Sequence, residues 1–206
     1  MNKKSVNGES LKLSRQQQKE QTRRRLVETT YQVICRKGII GTRVSDIAHV
    51  AGVSHGAVFV HFESLEVLIA GVIEEYGWRM ALRTHELAAS STGLEELLRA
   101  QLEGIEEQEA FYTRLVTENR LLPQAARDVW TGLQSAMSFH FCRVAERIWP
   151  HADMALMFNT WIGLVHHYLM NGDMFAPEGG VMKRYANTLI DFYIRMTAGF
   201  ASKEEK

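Results

Sequence analysis

Apolar residues along this chain recur at intervals of three and four, the spacing of one face of a helix. Leu26, Thr30, Val33 and Ile34 mark a helix from Arg15 to Lys37, with Gly38 placed to end it. Val44 to Val50 reads as a second, short helix with Thr42 as its candidate N-cap. Ala51-Gly52-Val53 is a tight break, and Ser54 can cap a third helix from His55 to about His61. A long helix from about Leu65 to Leu87 carries the stripe Leu65, Leu68, Ile69, Val72, Ile73 and Tyr76. After a loop at 88–93, Leu94 to Asn119 holds one or two helices, with a break near Gly104 or Gln108. Pro123 suits the first turn of the next helix. Its inward stripe is Val129, Leu133, Met137, His140 or Phe141, Val144 and Ile148, and Pro150 stops it. Ala152 to Asn171 follows, closed by Gly172; "GDMFAPEGG" reads as a loop, and Met182 to Phe200 is the last helix.

One stretch departs from the pattern. "AVFVHF", 57–62, is rich in β-branched and aromatic residues and has no charge, so it has the look of a buried strand. It is short and finds no partner strand in the sequence, so its surroundings are expected to make it helical. The fold class is therefore all-α. Residues 1–14 are polar and aperiodic and read as a disordered basic arm, 15–64 as a small helical head, and 65–206 as a helical body.

With 46% apolar and 23% charged residues, the composition excludes a disordered chain and allows a sizeable core. No apolar run approaches a membrane span, and no secretory signal is visible behind the N-terminal lysines. Two distant cysteines, Cys35 and Cys142, form no CxxC pair, so a reduced, cytoplasmic protein is expected. The zero net charge conceals an asymmetry: residues 1–62 hold 11 Lys and Arg against 4 Asp and Glu, and the remainder is equally acidic in net terms. A basic head on an acidic body suggests a polyanion partner for the head.

Two short helices joined by a glycine turn inside a basic segment suggest a helix-turn-helix, whose second helix enters the major groove of DNA. The residue types suit it. Ala48 and Ala51 permit close helix approach, and Gly52 supplies a positive φ. Ile47, Val53 and Val58 can pack between the helices, while Ser54 caps the second and leaves its first amides free for a phosphate.

From Leu26 to Leu68 the sequence resembles the tetracycline-repressor (TetR) family of bacterial transcriptional regulators. The resemblance rests on Gly38-Ile39, Thr42, Ile47-Ala48, Ala51-Gly52-Val53-Ser54, Gly56, His61-Phe62 and Glu66-Val67-Leu68. It implies an all-α homodimer with a three-helix DNA-binding head and a body that binds an effector and dimerises through its last two helices. It further implies a repressor released from a double-stranded operator by a small molecule. Two positions depart from the family: Phe59 stands where a Tyr usually contacts a phosphate, and Leu65 where a Lys often does. Both changes weaken the salt-sensitive part of DNA binding. Compensation is expected from "QTRRR", which includes Arg23 and Arg24, from Arg43 with Thr42 beside it, and from Lys12, Arg15 and Lys19.

The recognition helix offers His55, Gly56, Ala57, Phe59, Val60 and His61. It has no Arg, Asn or Gln, the side chains that pair bidentately with bases. Readout is expected through His55, backbone approach at Gly56, and apolar contact of Ala57 or Val60 with thymine methyls, while Phe59 and His61 face the DNA backbone.

In the body, Ala152–Asn171 is apolar nearly all round, which a core on one side and a second protein chain on the other would explain. The last helix adds Tyr185, Leu189, Phe192 and Met196. Candidate effector contacts are Leu98, Leu102, Phe111, Met137, Phe141, Trp161 and His166, suited to a mostly apolar ligand; the same residues also make an ordinary core. His140, Cys142, His151, His166 and His167 lack metal-ligand spacing, so a metal-responsive regulator is an alternative only if separate helices assemble the site. No catalytic or cofactor motif appears, and no cofactor is expected. A helical small-molecule binder with weakened DNA affinity is the remaining alternative.

Overall fold

The computed structural model describes residues 14–201, so the expected arm lies outside the described residues except for Ser14. Ser14 is in fact a helix cap. Its hydroxyl accepts from the Gln17 amide at 3.2 Å while the Gln17 side chain accepts from the Ser14 amide at 2.8 Å, a reciprocal box that starts α1 (Arg15–Lys37). Burial on α1 begins only at Leu26, so its first three turns, which carry Arg15, Lys19, Arg23, Arg24 and Arg25, project from the core. Gly38, at φ 84°, ends the helix.

α2 (Val44–Ala51) includes Ala51, one residue past the expected break. Gly52 takes the left-handed conformation at φ 65°, and the amides of Gly52 and Val53 return to the carbonyls of His49 and Ala48. α3 (His55–Phe59) is capped by Ser54, whose hydroxyl accepts from the Ala57 amide at 3.2 Å. It is two residues shorter than expected: Val60 to Phe62 turn back on Val58 so that Phe62 enters the core.

Ser64 caps α4 (Leu65–Ala89), which packs on α1, on α5 (Leu94–Glu106) and above all on α7 (Gln124–Ile148). The break expected near Gly104 or Gln108 falls at Gln108, before α6 (Glu109–Glu118). Gly104 instead lies inside α5, where a Cβ would sit 3.1 Å from the Thr84 hydroxyl. A 3-10 turn at Asn119–Leu121 leads to Pro123, which precedes α7 as its N-cap. The α7 stripe is as expected except at its end: Ile148 is exposed and Trp149, in the turn before Pro150, is buried in its place.

α8 (Met154–Met170) starts two residues later than expected because Asp153 caps it, accepting from the Leu156 amide at 3.0 Å. Gly172 does not close that helix but opens a one-turn helix, α9 (Gly172–Phe175), inside the expected loop. α10 (Val181–Ala201) is held at its start by Glu109, whose two carboxylate oxygens accept from the amides of Val181 and Met182 at 2.9 and 2.8 Å. No strand occurs among the described residues, and Ala57, Val58 and Phe59 of "AVFV" are helical with Val60 in the turn that follows. Leu26, Ile34 and Val58 of the head and Trp161, Val165 and Tyr193 of the body belong to one continuous apolar core.

The α4–α7 seam depends on one missing side chain. A Cβ on Gly77 would lie 2.5 Å from Val129 Cγ1. Overpacking of this kind costs about 1–3 kcal/mol, and alanine returns at most about 1 kcal/mol of helix propensity. Gly77→Ala is therefore expected to lower stability in urea by about 1 kcal/mol, with Val129→Ala in the same chain restoring most of it. An unchanged or higher midpoint in the single variant contradicts this packing.

Candidate nucleic-acid interface

The head presents a face built from three elements. On α3, His55, Gly56 and Phe59 are exposed, as is Val60 just past its end, and Ala57 is half-buried, while Val58 is buried and anchors the helix. His55 and Phe59, one turn apart, touch ring to ring with centroids 5.4 Å apart. A Cβ at Gly56 would meet nothing within 4 Å, so the fold itself does not require glycine there. Arg43 is exposed and extended just before α2.

The projecting end of α1 reaches the recognition segment. The Arg23 guanidinium sits over the Phe62 ring, 4.8 Å from its centroid, which ties α1 to the end of the recognition segment. Arg24 pairs with Glu20 at 3.1 Å on the open surface. Half-buried His61 is held below the usual histidine range, first by burial and then by the Lys19 and Arg23 charges, and its Nδ1 is buried without a partner. The recognition segment thus carries no Lys or Arg of its own, and Arg23 of α1 stands at its end.

Thr42 does not fit its expected role. Arg43, not Thr42, occupies the N-cap of α2. Thr42 is buried and its hydroxyl donates to the Gly38 carbonyl at 2.7 Å, closing the α1–α2 turn, so that hydroxyl is not open to DNA. Leu65, at the position where the family often has a phosphate-binding Lys, is half-buried against the core.

In the body, Leu98, Leu102, Phe111, Met137, Phe141 and Trp161 are all buried, and His166 nearly so. They do not form one group. Phe111 faces the head, where it joins Tyr31 and Tyr76; those two stack with centroids 3.8 Å apart. Trp161 donates from Nε1 to Gln101 Oε1 at 2.9 Å, and Gln101 Nε2 donates to the Met137 carbonyl at 2.9 Å. His166 Nε2 pairs with the Tyr112 hydroxyl at 2.9 Å, and Gln134 donates to that hydroxyl at 3.1 Å. Trp130 packs on both rings. Gln101 and Tyr112 are not singled out by the sequence pattern alone. Their signal is a polar group inside an apolar stripe, as at Leu97, Leu98, Gln101, Leu102 and Ile105. An open cleft of about 420 Å³ lies elsewhere, between α1, α6 and the α8–α10 connection, with Cys35, Thr113, Arg114 and Met170 on its walls.

The histidines considered as metal ligands are used differently. His140 pairs with His85 across α4 and α7 at 2.9 Å, His166 with Tyr112, and His167 packs on Tyr168 and Phe175. Among the described residues no three His, Cys, Asp or Glu side chains converge. No helix among them is long and apolar enough to cross a membrane.

A glycine-turned pair of short helices, the second one exposed and flanked by cations, defines a helix-turn-helix DNA-binding head on an all-helical body. Residues 26–72 match the sequence pattern of the bacterial regulatory proteins of the tetR family. The match covers the helix-turn-helix and the helices on either side of it, the DNA-binding part of such regulators. An uncharacterized HTH-type transcriptional regulator, YerO of Bacillus subtilis (strain 168), is 27% identical over 106 residues, covering 48% of this chain and 36% of that protein. The match thus spans about a third of the length of that relative. In fold, the fatty acid degradation regulator FadR from Bacillus halodurans superimposes with a TM-score of 0.68 at 16% identity, covering 89% of this chain and 96% of its own. FadR from Bacillus subtilis, solved in complex with stearoyl-CoA, gives 0.67 at 16% identity, over 83% and 97%.

Burial of the His166 ring lowers its pKa from 6.5 to about 4, so it is neutral at pH 7 where it meets the Tyr112 hydroxyl, whose own pKa is raised by burial. Below pH 6.5 the unfolded chain takes up a proton here that the folded chain refuses until about pH 4. Stability therefore falls as pH drops through that window, by on the order of 3 kcal/mol at its acid end. His166→Gln is expected to shrink that acid loss by one proton's worth in urea titrations between pH 7 and 4. An identical pH dependence in the variant contradicts the buried, neutral ring.

Proposed function

We propose that this regulator grips a two-fold operator as a homodimer, represses transcription there, and is released by a small, mostly apolar effector. The observation that carries the reading is the placement of charge in the head: an exposed α3 without Lys, Arg, Asp or Glu, with the Arg23 guanidinium of α1 seated over Phe62 just beyond its end. Arg23, Arg24, Arg43 and Lys19 supply phosphate contacts. Ser54 and the first amides of α3 approach a phosphate. His55, Gly56, Ala57 and Val60 meet base edges and methyl groups, with Phe59 and His61 toward the DNA backbone.

The second subunit docks on α8 and α10. Leu156, Met170, Phe192 and Met196 are exposed there, and Gly163 leaves open space on the outer face of α8. Pairing these faces supplies the two-fold axis that half-sites about 34–36 Å apart demand. The effector enters the body core around Trp161, Met137, Phe141, Leu98, Leu102 and His166, where the Gln101 and Tyr112 networks supply the polar contacts. Phe111 serves the head contact rather than this pocket. A neighbour of the same fold was solved with stearoyl-CoA, so acyl amphiphiles are the first class to screen.

On a duplex selected by the protein from a random-sequence library, affinity is expected to fall steeply with salt. Lys19→Ala flattens the log–log slope by about 0.9 for each phosphate no longer neutralised, leaving sequence preference intact. His55→Ala and Ala57→Leu each weaken the selected duplex at least about fivefold relative to random DNA, the worth of roughly 1 kcal/mol of base contact. Unchanged preference in both variants refutes the assigned readout. Sedimentation at micromolar concentration is expected to give a dimer, and Phe192→Glu a monomer; a monomeric wild-type protein overturns the assembly.

A further inference from the structure

α6 lies between the head and the body core and serves both. Tyr112 faces the core and bonds His166, while its neighbour Phe111 packs on Tyr31 of α1. Phe111, Arg114 and Glu118 lie three and four residues apart, on one face of the helix. At its far end that face meets the α1–α2 turn. Glu118 Oε2 accepts from the Ile40 amide at 2.8 Å, and Arg114 Nη2 donates to the Arg36 carbonyl at 3.4 Å, at the end of α1. Gly38 completes the fit, since a Cβ there would lie 2.5 Å from Glu118 Oε1.

Glu118 is a poor choice for α6 itself. It is the last residue of the helix, where the macrodipole opposes a negative charge, and its side chain is only 15% exposed. Arg114, with Nη1 4.0 Å from Oε1, offsets part of that cost. The Ile40 amide accounts for the rest, because a charge-assisted bond to a backbone N–H is stronger than a neutral one. The turn it holds is the one that sets α2, and hence α3, against α1: Thr42 and Gly38 close it internally, and Lys37 pairs with Asp46 across it at 2.6 Å.

We infer that Glu118, a residue of the body remote from the reading face, is the positioning residue that fixes the helix-turn-helix for DNA through its bond to the Ile40 amide. The inference rests on the chain acting as a DNA-binding regulator. Removing the bond leaves every DNA-facing residue in place but frees the turn, so binding must order it again and affinity falls.

The test uses full-length protein and a duplex selected by the wild type from a random-sequence library. Failure to select any duplex overturns the DNA-binding reading and not this one. On the selected duplex, Glu118→Ala is expected to bind about tenfold more weakly with an unchanged salt slope, since the same phosphates are neutralised as before. Hydrogen exchange at the Ile40 amide is expected to speed up in the same variant. Glu118→Gln, which keeps an acceptor oxygen, stays within about threefold of wild type and keeps Ile40 protected. Glu118→Asp keeps the charge but withdraws it by one methylene, and behaves like alanine. If the alanine variant does not fold, the Asp and Gln variants carry the same comparison. Affinity within twofold of wild type in Glu118→Ala, equal losses in Ala and Gln, or Asp binding better than Gln each overturns the inference.

Discussion

The head cannot bury itself. Its reading helix has five residues and only Val58 of them is buried, and α2 contributes Ile47, Ala48 and Ala51. So small a unit does not bury enough apolar surface to stand alone. The second half of α1 solves this by packing on α2 with one side and on α4 and α6 with the other. The same burial that folds the head therefore joins it to the body in one core. Mechanical continuity between reading face and body is a consequence of stability here and needs no separate linker.

That constraint also explains which polar groups cross the junction. Tyr76 donates to Glu28 of α1 at 2.5 Å, and Glu118 and Arg114 meet the α1–α2 turn with opposite charges. Each contact satisfies a group that the packed junction would otherwise strand away from water. Deeper in the body the polar bonds run helix to helix, Gln101 to Trp161 and Tyr112 to His166, where burial keeps the histidine neutral. A ligand entering this core must replace those bonds, which favours molecules with an apolar bulk and few polar atoms.

Much of this was legible in the sequence because the signals were local. Ser54 starts α3, Gly38 and Gly52 end α1 and α2, and the apolar stripes mark every long helix within a few residues, although Ser14, which caps α1, reads as part of the arm. The "AVFV" run shows a tertiary override: Val58 and Phe62 are needed in the core one helical turn apart, and that decides against their strand preference. What stayed hidden depended on distant partners. Thr42 looks like a cap until the Gly38 carbonyl is placed against it, and Phe111 looks like pocket until Tyr31 packs beside it. Ile148 and Trp149 exchange roles because the helix ends one residue before the tryptophan. Nothing in the spacing of Glu118 announces a bond to a residue 78 positions away.

The head's electrostatics follow from the same economy. A charge-free α3 packs easily, and its cations are displaced to the free end of α1 and to Arg43, where no burial penalises them. On the proposed reading, DNA is then held mainly by its backbone, with bases read through His55 and small apolar contacts. The most direct measurement is a pair of chemical footprints on a selected duplex: phosphate ethylation interference and guanine N7 methylation protection. Strong interference at phosphates flanking each half-site, with weak N7 protection inside it, is the predicted result. Strong N7 protection with little phosphate interference, the mark of direct pairing to guanine, contradicts the account.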